Sequence, residues 1–430
     1  MRNGQRPKVL VIGSGGREHA LVWALSRSPQ QPLLYCAPGN AGTAALATNV
    51  DLAPTDIPGL AEFAAAERIG LTVAGPEAPL AAGLVDEFER RGLRCFGPTQ
   101  AAAQIESSKV FARQLVHEAR VPGPAYEVFE YADQARAYAR ECHLPAVFKA
   151  DGLAAGKGVL IARDRAAAEG AVEALMVART FGDAGKRIVV EEYLEGDEAS
   201  VMALCDGETV ALLPAARDYK RLLDDDEGPN TGGMGAFAPH PGVDAAMQET
   251  LLHTVFEPTL AALRQRGTPY RGVLYAGLML TADGPKVMEF NCRFGDPETE
   301  VVLPLLEGDV LALLQAAALG ALRTTPVRVA VGACVCVVLA SEGYPFSVRK
   351  GEAISGLDEP AAGGALVFHA GTAKRDGQTV TAGGRVVSVT ATGSDLDAAR
   401  ARAYAAAEHI HFEGMQYRRD IGRAAVGAAV

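Results

Sequence analysis

Two short strings carry residues whose types and spacing could do phosphoryl chemistry. In FKADGLAAGKGV, Phe148 to Val159, Lys149 is expected on a strand. A loop with Gly152, Gly156 and Gly158 around Lys157 follows, and then a second strand. Lysines neutralise phosphoryl oxygens and glycines let the backbone approach them, so the string reads as a lid over a nucleoside triphosphate, with Lys157 a catalytic candidate. It is not a Walker A loop, because no Ser or Thr follows Lys157 and the loop joins strand to strand. A merely flexible hairpin is the plainer alternative. In KVMEFNCRFGDPE, Lys286 to Glu298, strand alternation puts Glu289 and Asn291 on one face. A carboxylate beside an amide carbonyl is a hard oxygen pair of the kind Mg²⁺ takes, with Mn²⁺ the alternative ion and phosphates completing the shell. Arg293 continues that face, where its fork could hold a carboxylate or an acyl phosphate. Exposed polar positions on an edge strand are the competing reading.

A third string, GSGGREHA from Gly13 to Ala20, follows a strand and opens a helix, so its N–H groups could cradle a phosphate. A dinucleotide site fits less well. Glu18 stands at the third glycine position, and the second strand ends in Cys36 and Ala37 without an acid for a ribose. A plain tight turn stays open. The loop DDDEGPNTGGMGAF, Asp224 to Phe237, is too rich in Gly and Asn for a packed element and reads as a functional or a solvated loop. His19 and His369 lie in motifs and are weak site candidates.

These residues need a frame. Strands at Lys8–Ile12, Leu33–Cys36, Leu71–Ala74 and Arg94–Phe96 alternate with helices at Glu18–Arg27 and Leu80–Arg91, which predicts an open parallel α/β sheet with ligands at its carboxyl edge. The Pro122 to Pro124 cluster marks a hinge into a sub-domain of about 65 residues. Hairpins are predicted at Ser200–Leu213 and Leu274–Asn291. Near residue 326 a third unit begins, with strands Val327–Leu339, Ala365–Phe368 and Arg385–Thr390 and a helix Leu396–Ala407. The stripes Leu251–Leu263 and Leu311–Leu322 read as core helices.

The chain has 430 residues, 49% of them hydrophobic and 22% charged, which excludes a single small module and a disordered chain. Its net charge of −11 argues against a general affinity for nucleic acid or anionic membrane, so any anionic substrate needs a focused site. Seven scattered cysteines without a CxxC pair read as reduced core thiols. No apolar run reaches the length of a signal-peptide core or a membrane span, and the expected location is the cytoplasm.

With Lys149, the glycine lid, Glu191, Glu192, Glu289 and Asn291 in view, the central region resembles the ATP-grasp superfamily. VIGSGGREHAL, GPNTGGMGAF, EFNCRFGDPETE, FHAGT and GGRVVSVT run through the whole chain in order. They resemble the phosphoribosylamine–glycine ligases, or GAR synthetases, of purine biosynthesis. The resemblance implies an α/β fold, α+β in parts. It has an N-terminal open parallel α/β sheet (1–104), a central ATP-grasp domain (105–326) with a mobile lid sub-domain (about 123–188), and a small β-rich C-terminal domain (327–430). It implies that ATP converts glycine to glycyl phosphate, which the amine of 5-phosphoribosylamine attacks. Lys109, Lys149 and the lid residues Gly152, Gly156, Lys157 and Gly158 would then hold ATP phosphates. Glu191, beside Glu192 and with the backbone near Leu194, would meet the adenine edge, and Glu198 the ribose. Glu289 and Asn291 would bind the metal. Gly15, Gly16, Asn40 and Glu77 would receive phosphoribosylamine, Arg293 would serve the activated glycine carboxylate, and Asp218 is both a catalytic and a substrate-binding candidate.

The family pattern before GPNTGG resembles QDHKR and then GDGDT. This chain reads RDYKRLLDDDE, with Arg217, Tyr219, Leu223, Asp225 and Glu227 in unusual places, and the loss of two glycines is expected to stiffen the loop. The strand Leu274–Leu280 offers no carboxylate for a second metal ion. Rival readings are another carboxylate–amine ligase of the superfamily, a biotin carboxylase-like enzyme, and a nucleotide-binding regulator without catalysis.

Overall fold

A computed structural model describes residues 6–153, 158–359 and 363–423, so the lid residues Gly156 and Lys157 lie outside the described residues. Apolar runs such as Val9–Ile12 and Leu71–Ala74 bury both faces and form inner strands. They build a five-stranded parallel sheet in the order Thr48–Asn49, Leu33–Pro38, Lys8–Gly13, Leu71–Ala74, Cys95–Phe96. The order reverses between the third and fourth of these, so the loops after Gly13 and Ala74 open side by side at the carboxyl edge. This is the expected open α/β sheet. The helix Ile57–Glu67 was not read from the sequence, although Asp56 caps it by accepting from the Gly59 N–H. The single helix expected at Leu80–Arg91 is two, Glu77–Ala81 and Leu84–Arg90, because Gly83 takes a left-handed φ of 90° between them.

The central region holds two antiparallel sheets. One orders Val210–Leu212, Asp197–Asp206, Arg271–Thr281 and Gly284–Asn291, and the other Tyr126–Phe129, Ile188–Glu192, Ala146–Ala150 and Val159–Ala162. The second sheet and the helices Ala132–Glu141 and Arg165–Val172 share an apolar core of their own, from Ala135 to Val190. The other cores cross unit boundaries. One joins the helix Gly16–Ser26 to Val310–Leu319 and to Cys334, Cys336 and Val338, and another joins Leu10 and Ile12 to Ala276 and Phe290.

The segment expected as a long loop, Asp224–Gly235, is largely paired. Arg221–Leu223 and Glu227–Asn230 form a hairpin whose turn places Asp225 and Asp226 at φ of 56° and 55°. Gly235–Ala238 then enters the last sheet, ordered Arg217–Asp218, Gly235–Ala238, Ala333–Ala340, Arg385–Gly393, Leu366–His369. That sheet takes its first two strands from the middle of the chain. The strand expected at Val327–Leu339 is broken by Gly332, at φ 124°, into Arg328–Val329 and Ala333–Ala340. The hairpin Thr372–Arg375 with Gln378–Thr381 was not foreseen. All seven cysteines are unpaired, and no helix of the described residues is long and apolar enough to cross a membrane.

Candidate active site

Strand register sets the site. Across Asp197–Asp206, Arg271–Thr281 and Gly284–Asn291, the residues Ser200, Gly277 and Glu289 lie in one row, and Met202, Tyr275 and Asn291 in the next. Alternation carries Glu198 to the same face. A Cβ on Gly277 would stand 3.1 Å from Glu289 Cγ, so the Glu289 side chain lies against bare backbone. Burial opposes ionisation of Glu289, but the charges of Lys220, Lys149, Lys109 and Arg293 hold its carboxyl below the usual range. Asn291 Oδ1 accepts from the Arg293 guanidinium at 3.3 Å. Among the described residues, no three Asp, Glu, His or Cys side chains are placed to enclose an ion. The donor set nevertheless fits Mg²⁺, which is commonly held by one or two protein oxygens with phosphates and waters filling the rest.

Lys149 lies beside this row. Its Nζ is 2.7 Å from Glu191 Oε2 and donates to the Met288 carbonyl at 3.1 Å. Arg113 grips Glu191 with both arms, at 2.6 and 2.9 Å, and also donates to Val287 and Met288 carbonyls. Burial raises the cost of the Glu191 charge, yet Lys149 and Arg113 outweigh it and keep the carboxyl below its ordinary value. Both oxygens of Glu191 are thus committed, leaving its backbone rather than its side chain to face a base. Glu192 is exposed and accepts from the Ala125 N–H, with Lys286 at 3.5 Å. Leu194 is buried, Glu198 pairs with Lys220 at 2.7 Å, and Gly158 accepts from the Ala150 N–H through its carbonyl. Gly152 lies against Ala184, where a Cβ would come within 2.8 Å.

Arg293 joins the central region to the N-terminal sheet. Its guanidinium is 3.3 Å from Glu77 and 3.3 Å from Glu106, whose other oxygen accepts from the Cys292 N–H. Burial penalises the Arg293 charge, but Glu106, Glu77 and Glu298 raise its pKa further still. The nearby N-terminal loop corrects one expectation. Glu18 turns back to accept from the Gly15 N–H at 2.5 Å and pairs with Arg17 at 2.6 Å, filling space that a side chain on Gly13 or Gly75 would occupy. The helix start expected to stand open for a phosphate already holds this carboxylate. Gly16 faces Glu300, whose Oε1 would be 2.5 Å from a Cβ there, and so serves packing. Asn40 spends its amide on loop carbonyls, donating to Ser14 at 2.9 Å and His369 at 2.7 Å, while Oδ1 accepts from the Gly42 and Thr43 N–H groups. His19 accepts from the His369 N–H at 2.8 Å. Burial lowers the pKa of His19 to about 3 and that of His369 to about 4. The two motif histidines therefore dock the C-terminal sheet against the first helix as neutral rings.

Asp218 ends the strand at the far side of Ser200. Burial pushes its pKa up to about 7 against the pull of Lys220, with Glu298, Glu198 and Glu289 adding repulsion. The altered segment around it is pinned from the C-terminus. Arg418 pairs with Asp226 at 2.8 Å and lies over the Tyr219 ring, Tyr219 Oη accepts from the Gly422 N–H, and Asp224 accepts from the Arg419 N–H. On the other side, Arg385 pairs with Asp296 at 2.9 Å and donates to the Gly232 carbonyl. Arg113, Glu106, Lys220, Glu298 and Arg385 were missed by sequence reasoning as site-building residues, because each is brought in by tertiary packing and none belongs to a local spacing pattern.

The sequence matches the phosphoribosylglycinamide synthetase N domain over residues 7–106, its ATP-grasp (A) domain over 107–299, and its C domain over 334–424. The chain belongs to the phosphoribosylglycinamide synthetase family. It is 47% identical to the phosphoribosylamine–glycine ligase of Caldanaerobacter subterraneus, covering 96% of this chain and 99% of that one. With the Vibrio cholerae ligase it is 48% identical, covering 97% and 98%. The solved phosphoribosylamine–glycine ligase of Thermotoga maritima superimposes with a TM-score of 0.84 at 37% identity, over 96% of this chain and 99% of the other. A biotin carboxylase domain from Hydrogenobacter thermophilus shares the fold alone, with a TM-score of 0.73 at 16% identity over 96% and 92%. Family membership agrees with the α/β architecture, the ATP-grasp centre and the antiparallel C-terminal strands expected from the motifs.

Proposed function

We infer that the cleft where Glu289, Arg293 and Glu77 meet joins glycine to 5-phosphoribosylamine using ATP, the phosphoribosylamine–glycine ligase reaction of purine biosynthesis. The observation that carries this reading is the single carboxylate Glu289 with Lys109, Lys149, Lys220 and Arg293 around it, on a chain that matches its family from end to end. A glycine carboxylate oxygen attacks the γ-phosphorus, ADP leaves, and glycyl phosphate forms. The amine of phosphoribosylamine then attacks the acyl carbon, phosphate departs with the bonding electron pair, and the nitrogen loses a proton. Positioning and charge neutralisation dominate phosphoryl transfer of this kind.

Lys109, Lys149 and the lid loop Gly152–Gly158, which includes Lys157, would hold ATP phosphates, and Glu191 fixes Lys149. Glu192, Leu194 and Glu198 line the strand exit where base and ribose would lie. Glu289 and Asn291 would hold Mg²⁺, or Mn²⁺ in its place, which supplies positive charge to the phosphates. Arg293 would neutralise the glycine carboxylate and its phosphate, Asp218 would sit on the glycine side, and Ser14, Gly15, Asn40 and Glu77 would frame phosphoribosylamine. A division at 1–104, 105–326 and 327–430 accords with this sharing of labour, and unpaired thiols accord with the reducing cytoplasm. The test is glycine-dependent ADP release with freshly generated phosphoribosylamine. Release that requires both substrates is expected, and ATP binding without any release would favour a regulator.

A further inference from the structure

Beside the Glu289 row lies a second polar group that none of the roles above uses. Tyr275 donates from Oη to Glu298 Oε1 at 2.8 Å, and the Ser200 hydroxyl lies 2.8 Å from Tyr275 Oη and 3.2 Å from the same carboxylate oxygen. Glu298 is 3% exposed. Asp218, with a side chain 9% exposed, has its nearest donors at 3.5 Å, the Ser200 hydroxyl, and 3.8 Å, Lys220 Nζ. Neither is a good hydrogen bond, so a nearly enclosed carboxylate is left without a proper partner. Four acids, Asp218, Glu298, Glu198 and Glu289, act on one another here, and Lys220 is their one close cation among the described residues, tied at 2.7 Å to Glu198. Such a group calls for one further positive charge carrying N–H donors.

The register places that charge. Ser200 is in the Glu289 row and Tyr275 in the Asn291 row, so the acidic group is one to two strand spacings, about 5–10 Å, from the metal pair, and Arg293 feels both Glu298 and Tyr275. An amino acid whose carboxylate lies by Arg293 can extend its ammonium to Asp218 and Glu298. We infer that Asp218 and Glu298, with the Ser200 hydroxyl, form the subsite for the α-ammonium group of glycine. The inference rests on the ligase reading. A second divalent ion is the weaker occupant, since two hydroxyl groups already converge on Glu298 and no three acidic, His or Cys side chains are placed to close round an ion.

The test compares wild type with Glu298→Gln and Asp218→Asn, each checked by thermal melting. Wild-type activity comes first, since its absence would reject the ligase reading and not this subsite. With activity present, each variant is expected to raise KM for glycine tenfold or more, with KM for ATP and for phosphoribosylamine changed less than threefold. Calorimetric affinity for glycine, in the presence of Mg²⁺ and a non-hydrolysable ATP analogue, should fall in parallel. If Glu298→Gln melts early, Ser200→Ala gives the same comparison with the charges intact and an expected rise of about threefold. Unchanged glycine affinity in the folded variants overturns the assignment. So does a shift confined to the Mg²⁺ requirement, or one confined to phosphoribosylamine.

Discussion

Glu289 and Glu300 are both acids held by the protein interior, and their surroundings drive them in opposite directions. Glu289 is kept charged by four cations, so Glu289→Gln should preserve the fold and lose at least tenfold in kcat at saturating Mg²⁺, because a neutral amide cannot balance a metal–triphosphate complex. Near-normal turnover at low Mg²⁺ would contradict its assignment. Glu300 is fully buried, and neither of its oxygens finds a hydrogen-bond partner. Burial, with Asp296 adding repulsion against the nearby Arg385, raises its pKa well above the carboxylate range. A raised folded-state value means that the native chain keeps a proton the unfolded chain loses above about pH 4.3, so stability falls as pH climbs from there. Glu300→Gln should therefore melt higher than wild type at pH 8, by about 1 kcal/mol or more, with the advantage shrinking toward pH 4.5. An equal difference at both pH values would show that the carboxyl is not held neutral. The chemistry of Glu289 and Asn291 was legible because two residues on one strand share a face by arithmetic alone. Glu300 was silent, since nothing local in GDPETE says which glutamate meets Gly16 and the last sheet.

At the scale of elements, the start of the helix Gly16–Ser26 separates two meanings of glycine. The GSGG string was read as room for a ligand. The geometry assigns Gly13 and Gly75 to the Glu18 side chain, and Gly16 to close contact with Glu300 and Ser388. Gly16→Asp should accordingly lower the melting midpoint by several degrees, as expected for a charge forced against a buried carboxyl. A stable variant with only KM for phosphoribosylamine raised would restore the phosphate cradle. Strands set by unbroken apolar runs were found where expected, since burial on both faces is written into composition. The hairpin Arg221–Asn230 was hidden because its signal is a turn of two left-handed aspartates, held by Arg418 and Asp420 almost two hundred residues away.

For the whole molecule, the three-part order of motifs was visible in the sequence, whereas the sharing of sheets and cores was not. The last sheet borrows Arg217–Asp218 and Gly235–Ala238, and one apolar core runs through all three regions. A chain truncated after residue 326 would leave Gly235–Ala238 without Ala333–Ala340 and expose Phe237, which packs with Val335 and Val337. It should be recovered as aggregate or as a form lacking a cooperative melt. A truncated product that melts sharply, as a separable domain would, is the contrary result.

The core confined to Ala135–Val190 has the opposite consequence. A segment that shares little apolar surface with its neighbours can open without disturbing them, so the molecule should have two cooperative units in place of three. Amide deuterium uptake would separate them. Protons on Phe148, Val189 and Val190 should exchange together through a low-energy opening, while those on Val11, Tyr275 and Val337 wait for global unfolding. An ATP analogue bridging Lys149 and the opposite sheet should slow the first group by orders of magnitude and bring the two rates together. The nucleotide would then act as a mechanical fastener, and its departure would return the chain to a body with one independently breathing part.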